Sequence, residues 1–293
     1  MINGSSFLAI KISIDTIPPL LSAGLRFIIA GSILFSAYFI LQRHEHKHEH
    51  IGRRQWRDAA ILAFTLFLGG QGLLTWGSQY LSSGITGLLN STIPLWVAVI
   101  AFLVFRKHMT KLTILGLAAG FGGLMLLVAP SIGNGTLSPI GISALIVSSI
   151  SWAIGSLYSS KAKLPISVLA SSGMLMITGG LMLTSVSFLL GEYKGLDLSQ
   201  ISGPSLAALI YLIIIITVVG FTDFYWLLRV TTPSLANTFA YVSPVIAVIL
   251  GWAILKESIT MLTIIAMVVI LLGVALMVTP KKSKAVNSKK KMV

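Results

Sequence analysis

Apolar runs of about 18 residues or more recur along the whole chain, and nothing else in the sequence constrains its fold so strongly. Each is long enough to cross a hydrocarbon core of about 30 Å at about 1.5 Å per residue. In hydrocarbon every backbone N–H and C=O must find its partner within the segment, which selects helices. The 293-residue chain is 55% hydrophobic and only 10% charged. A soluble domain is nearer about 25% charged, so this surface cannot face water everywhere. Cysteine is absent, which excludes disulfides, a thiolate nucleophile and cysteine-ligated metal. The opening 1–14 has neither a basic n-region nor a small-residue cleavage site, so no cleavable signal peptide is expected.

The hydropathy pattern predicts an all-α polytopic membrane protein with spans at 4–14, 20–41, 59–80, 84–105, 112–129, 140–160, 166–190, 206–228, 234–255 and 261–279. The first is too short to cross alone. The expectation is a start upstream of Met1, with a fragment at this end as the alternative. Ten spans place both termini on one side, and Lys and Arg say which. With the termini cytoplasmic, inner loops and ends hold 17 of the 21 basic residues, among them Arg53, Arg54, Arg57, Lys161, Lys163 and the Lys-rich tail 281–293. The outer side holds Lys11, Lys194 and Lys256, and Arg26 lies within a span. That asymmetry is the positive-inside pattern of a plasma or inner membrane protein. It accounts for the net charge of +13 without nucleic acid.

The chain also repeats itself. At an offset of 150 residues, 70–130 falls on 220–280 without a gap, matching Trp76 with Trp226, Pro94 with Pro244, Thr110 with Thr260 and Gly123 with Gly273. Each repeat holds five spans, at 1–130 and 139–280, and an odd number inserts the second copy upside down. Two inverted five-helix repeats are a recurring plan of secondary transporters, which bind substrate near the midplane between the halves. A duplication kept for structure alone is the alternative.

Polar groups inside spans are costly, and helical spacing shows which share a face. Gln71, Thr75 and Ser78 form one stripe, with Trp76 beside it; Asn237, Tyr241 and Pro244 form another. Gly87, Ser91 and Pro94 repeat that stripe in the first half, flanked by Asn90, while Trp152 with Ser156 and Asp223 with Trp226 lie about one turn apart. A proline removes a backbone donor and can leave carbonyls open to a ligand. Together these residues read as a substrate cavity with aromatic walls and polar anchors, or as interhelical hydrogen bonding and interfacial aromatics. Asp223, a carboxylate placed within a span, is the candidate for proton coupling. Arg26 shares the outer side with Asp15 and Glu257, as an ion pair or an outer gate. Gly116, Gly120 and Gly123 permit close packing, within the chain or in a homodimer. The alternating His44, His46, His48 and His50 read as a solvated loop ahead of a weak metal site, and no metal or other cofactor is expected. No GxxxxGK[ST] or HExxH signature is present, so ATP-driven transport and a zinc hydrolase are unsupported.

Several residues carry a family resemblance in order and spacing. They are Gly4-Ser5 with Phe7 and Lys11, Pro18-Pro19 followed by Arg26-Phe27, Ser151-Trp152-Ala153, Tyr241-Val242-Ser243-Pro244, Glu257, and the equivalent Pro94. In these the chain resembles the drug/metabolite transporter superfamily, specifically its EamA-type members, over nearly its whole length. It departs from that family in Asn3, where a Trp is usual, and in Lys107, where an acidic residue is frequent. The resemblance implies ATP-independent export or import of a small-molecule substrate across the bilayer, amino acids among the candidates; an exporter of amino acids or related metabolites, working by alternating access, is the expected function. It implies no enzyme activity. A membrane-embedded binding or regulatory protein without turnover, and a channel, are the competing readings.

Overall fold

A computed structural model describes residues 2–42, 52–106, 109–134, 138–230 and 239–278, and these form helices, turns and loops with no strand. The helical runs are α1 (Ile2–Ser13), α2 (Pro19–Gln42), α3 (Arg53–Tyr80), α4 (Ser83–Asn90 continued by Ile93–Phe105), α5 (Lys111–Asn134), α6 (Pro139–Ser159), α7 (Val168–Leu189), α8 (Gly203–Tyr211 continued by Leu212–Phe221 and Thr222–Val230), α9 (Phe239–Leu255) and α10 (Met261–Val278). Among the described residues, seven of these runs, α2 to α8, are long and apolar enough to cross a membrane. The apolar parts of α9 and α10 are shorter, and α1 has 12 residues.

Local chemistry sets the starts. Ser82, Ser138, Ser167 and Ser202 each accept a backbone N–H from three residues on, filling one of the donors a helix N-terminus leaves open. Proline follows immediately at Pro139, where its missing N–H costs nothing. α4 and α9 both end on a basic residue in the left-handed region, Arg106 at φ 49° and Lys256 at φ 54°. α5 and α10 both begin with a threonine pair: Thr110 and Thr113 hydroxyls lie 2.9 Å apart, as do those of Thr260 and Thr263. α3 and α8 both widen into a π-helical stretch of 10 residues, at Ala63–Gly72 and Leu212–Phe221.

Helix packing crosses between the halves. α2 lies along α7, α4 along α9 and α5 along α10; α1 packs on α8 and α9, while α6 packs on α3 and α4. Glycines allow the close approaches, and their neighbours show antiparallel register. Gly24 meets Thr184 and Gly180, Gly31 meets Ile177, and Gly173 meets Phe35. Gly116 meets Gly273 and Met277, and Gly123 meets Ile270. The small-residue stripe on α5 is therefore spent on α10 of the same chain. A Cβ at Gly31, Gly116 or Gly123 would strike backbone atoms of the facing helix. The main core is built from Phe27, Leu62, Leu66, Phe67, Trp152, Met174 and Leu183, with Phe27 and Phe67 edge to face at 4.6 Å.

Candidate functional site

Serines of α6 reach carbonyls of the widened stretch in α3. Ser148 Oγ donates to Gly70 O at 2.7 Å and Ser151 Oγ donates to Thr65 O at 2.8 Å. π-helical turns of this kind frequently accompany function. Next to this seam lie Gln71 and Thr75 on α3, and Trp152 of α6 packs against Gly70. Thr75 and Ser156 are buried, and among the described residues neither hydroxyl has a hydrogen-bond partner. Trp76 instead meets Tyr80 edge to face at 5.2 Å at the end of α3, a pairing suited to a membrane interface.

α4 is a broken helix. It stops at Asn90, turns through Ser91 and Thr92, and restarts at Ile93 with Pro94 in its first turn. At the turn Leu88 O and Leu89 O accept the backbone N–H groups of Ser91 and Thr92, each at 3.1 Å, and the same residues' hydroxyls as well: Ser91 Oγ donates to Leu88 O and Thr92 Oγ1 to Leu89 O, both at 2.6 Å. Ser91 thus serves the backbone in this conformation, and Thr92 shares a role that sequence spacing did not mark. Pro244 lies within helix α9. It approaches Gly87, about one turn before the break in α4, and Phe7 of α1 touches the same glycine. The two equivalent prolines therefore differ in local geometry, one restarting a helix and one embedded in it. Asn237 and the side chain of Tyr241 lie outside the described residues, as do the His44–His50 run and the tail 281–293.

Two expectations are corrected. Arg26 forms no ion pair with Asp15 or Glu257. It sits about 10 Å along α2 from the start of that helix, and is 2% exposed. Its Nη2 donates to Gln71 Oε1 at 3.3 Å and its guanidinium lies 4.4 Å from the Phe27 ring centroid. Its Nε has no hydrogen-bond partner among the described residues. Asp223 does not lie in an enclosed site. It is exposed, about 30 Å of helix from the start of α8 and so near the far boundary of the hydrocarbon core. Trp226 beside it is 54% exposed, as an interfacial aromatic would be.

Glu257 has a different role from the one expected. It accepts from Ser83 N at 2.7 Å, Ser83 Oγ at 2.9 Å and Gly84 N at 3.3 Å, capping α4 from beyond the end of α9. Two further clasps on the same side were not foreseen from the sequence. Lys11 Nζ donates to Ser78 O at 2.8 Å and Leu81 O at 2.8 Å, covering the end of α3. Glu192 accepts from Leu20 N and Leu21 N, each at 3.1 Å, covering the start of α2. At the opposite end, buried Asp58 accepts from Lys163 N at 2.9 Å and pairs with Arg57 at 2.9 Å, tying α3 to the connection after α6. For Lys11, Glu192 and Glu257 the signal was a charge next to a helix boundary.

Long apolar helices packed across two halves, one of them broken beside buried hydroxyls, define a polytopic helical membrane protein. The chain belongs to the EamA-like transporter family, whose profile matches residues 1–129 and again 139–279. It is 33% identical to the uncharacterized inner membrane transporter YedA of Escherichia coli K12 over 96% of this chain and 88% of that one. It is 28% identical to the uncharacterized transporter YoaV of Bacillus subtilis, over 94% and 92%. Among the solved structures it resembles is a crystal structure that matches with a TM-score of 0.64 at 16% identity, over 94% of this chain and 95% of the other, a likeness of fold.

Proposed function

We propose that the protein is a secondary active transporter that moves a small metabolite across the inner membrane by alternating access, with export of amino acids or related compounds as its task. The observation that carries this reading is the exchange symmetry of the packing. If each helix is renumbered by five, α1 on α8 and α9 becomes α6 on α3 and α4, while α2 with α7, α4 with α9 and α5 with α10 map onto themselves. The paired left-handed ends, threonine starts and π-helical stretches follow the same rule. Two matches to one family profile, at 1–129 and 139–279, also support it. In this reading all ten helices cross the membrane, as inverted repeats over 1–130 and 139–280 with both termini cytoplasmic. Related but inverted halves supply two near-equal arrangements of one bundle, which is what exposing a midplane site to either side requires.

The site in this reading lies among Gln71, Thr75, Asn90, Ser91, Pro94, Trp152, Ser156, Asn237, Tyr241 and Pro244. Lys11, Glu192 and Glu257 hold the outer helix ends together. Coupling to a proton gradient is the proposed energy source. The test is flux in proteoliposomes of the purified chain. A transporter gives saturable accumulation and counterflow of a preloaded metabolite. Saturable binding without flux would establish a binding protein, and flux that does not saturate would establish a channel.

A further inference from the structure

Arg26 is a buried cation for which the described residues supply no counter-charge. Of the chain's eight carboxylates, Glu257 is held by the start of α4 and Glu192 by the start of α2. Asp58 is held by Lys163 and Arg57, and Asp197 by Ser199 and Gln200. Asp15 and Asp223 are exposed at opposite ends of the bundle, and Glu45 and Glu49 lie between α2 and α3 in the sequence, outside the described residues. Arg26 shares its face of α2 with the small residues Ser22, Ala23 and Ala30, while Leu25, Ile29 and Ile33 on the other side are exposed. The charge therefore points into the bundle, toward α3. One neutral hydrogen bond at 3.3 Å and one aromatic face at 4.4 Å engage it, leaving Nε open. One turn beyond Gln71, the buried Thr75 hydroxyl is also without a partner among the described residues.

We propose that Arg26, with Gln71 and the Thr75 hydroxyl, binds the carboxylate of the transported molecule, so that the substrates are small monocarboxylates rather than amides, amines or sugars. The inference rests on the transport reading and deepens it. An arginine fork matches a carboxylate in two parallel hydrogen bonds. An exogenous anion would repay the desolvation that no described residue repays. Charge balance favours a carboxylate over a phosphate ester, because a single buried cation would leave a dianion half compensated. The Thr75 hydroxyl would donate to the bound anion, giving that group the partner it lacks.

The full chain is purified and probed by thermal shift and by proteoliposome counterflow. The probes are the proteinogenic L-amino acids, lactate and pyruvate, each beside its primary amide, with glycerol phosphate as the phosphate arm. At least one acid should raise the melting temperature and exchange, and its amide should do neither. Arg26→Gln should weaken that response by about 10- to 100-fold, and Arg26→Lys should retain part of it. Arg26→Gln without ligand should melt no lower than the parent, which separates an anion site from a structural arginine. Acids and amides acting alike, with Arg26→Gln unchanged, would overturn the anion site and leave transport standing. Acids that stabilise without exchanging would support the site and overturn transport. A parent that responds to no acid, or to glycerol phosphate first, would overturn the assignment.

Discussion

The backbone N–H of Ser83 donates to Glu257 Oε1 across 2.7 Å, so the residue that follows α9 caps the helix that is α9's counterpart in the other half. Three donors converge on this one carboxylate. Glu257→Ala leaves all three open, and the loss of a charged cap predicts destabilisation of about 1–2 kcal/mol. Thermal unfolding of the purified variant measures it. Glu257→Gln, which keeps an acceptor, should recover part of the loss. A cysteine at Ser83 should label faster from the outside in the Glu257→Ala background than in the parent.

Topology can be read directly, because the sequence contains no cysteine to remove. Single cysteines replacing Arg54 and Lys284 should be protected from an impermeant reagent in intact cells, and one replacing Lys194 should react. Reaction at Arg54 and protection at Lys194 would reverse the proposed orientation.

Close packing of α5 on α10 sets a paired test. A Cβ on Gly273 would stand 2.5 Å from Gly120 N and 2.7 Å from Gly116 O, both backbone atoms. A Cβ on Gly122 would meet nothing within 4 Å. Gly273→Ala should therefore cost about 1–3 kcal/mol through forced overpacking, while Gly122→Ala should be neutral or slightly stabilising. Equal melting temperatures for the two variants would show that the helices separate at no cost.

The two prolines should not be equivalent. Pro94 restarts α4 after the turn at Ser91 and Thr92, while Pro244 sits inside α9. Pro94→Ala permits the halves of α4 to join, and should reduce transport more than it reduces stability. Pro244→Ala restores a donor within an existing helix, and should raise stability while slowing transport. Transport rates and unfolding midpoints measured on the same preparations decide both.

The sequence places Asp223 within a span, and the structure leaves it exposed. Asp223→Asn is therefore expected to change pH-driven uptake by less than about twofold, since the side chain is exposed near the end of α8 and lines no enclosed site. Abolished accumulation with intact counterflow would return the coupling role to Asp223.

Hydropathy is local, so the long apolar runs and their ends were legible residue by residue: predicted spans such as 20–41 and 166–190 correspond to Pro19–Gln42 and Val168–Leu189. The 150-residue offset was visible too, because comparing Thr110 with Thr260 needs only the chain itself, and the family profile matches each half once. Local chemistry also announced the polar groups of α3 and α6 that lie near one seam. Partner choice was not legible. Arg26 finds Gln71 at a separation of 45 residues and Glu257 finds Ser83 at 174, pairings that exist only once helices are packed side by side. Spacing offered Arg26 and Glu257 to each other, but packing gave Arg26 to Gln71 and Glu257 to Ser83 and Gly84. Gly116 and Gly123 declared a close contact without naming the helix, and packing assigned it to α10 of the same chain. A charge or a small residue states what it needs; the tertiary structure alone decides what supplies it, because supply depends on distances that no spacing in the sequence encodes.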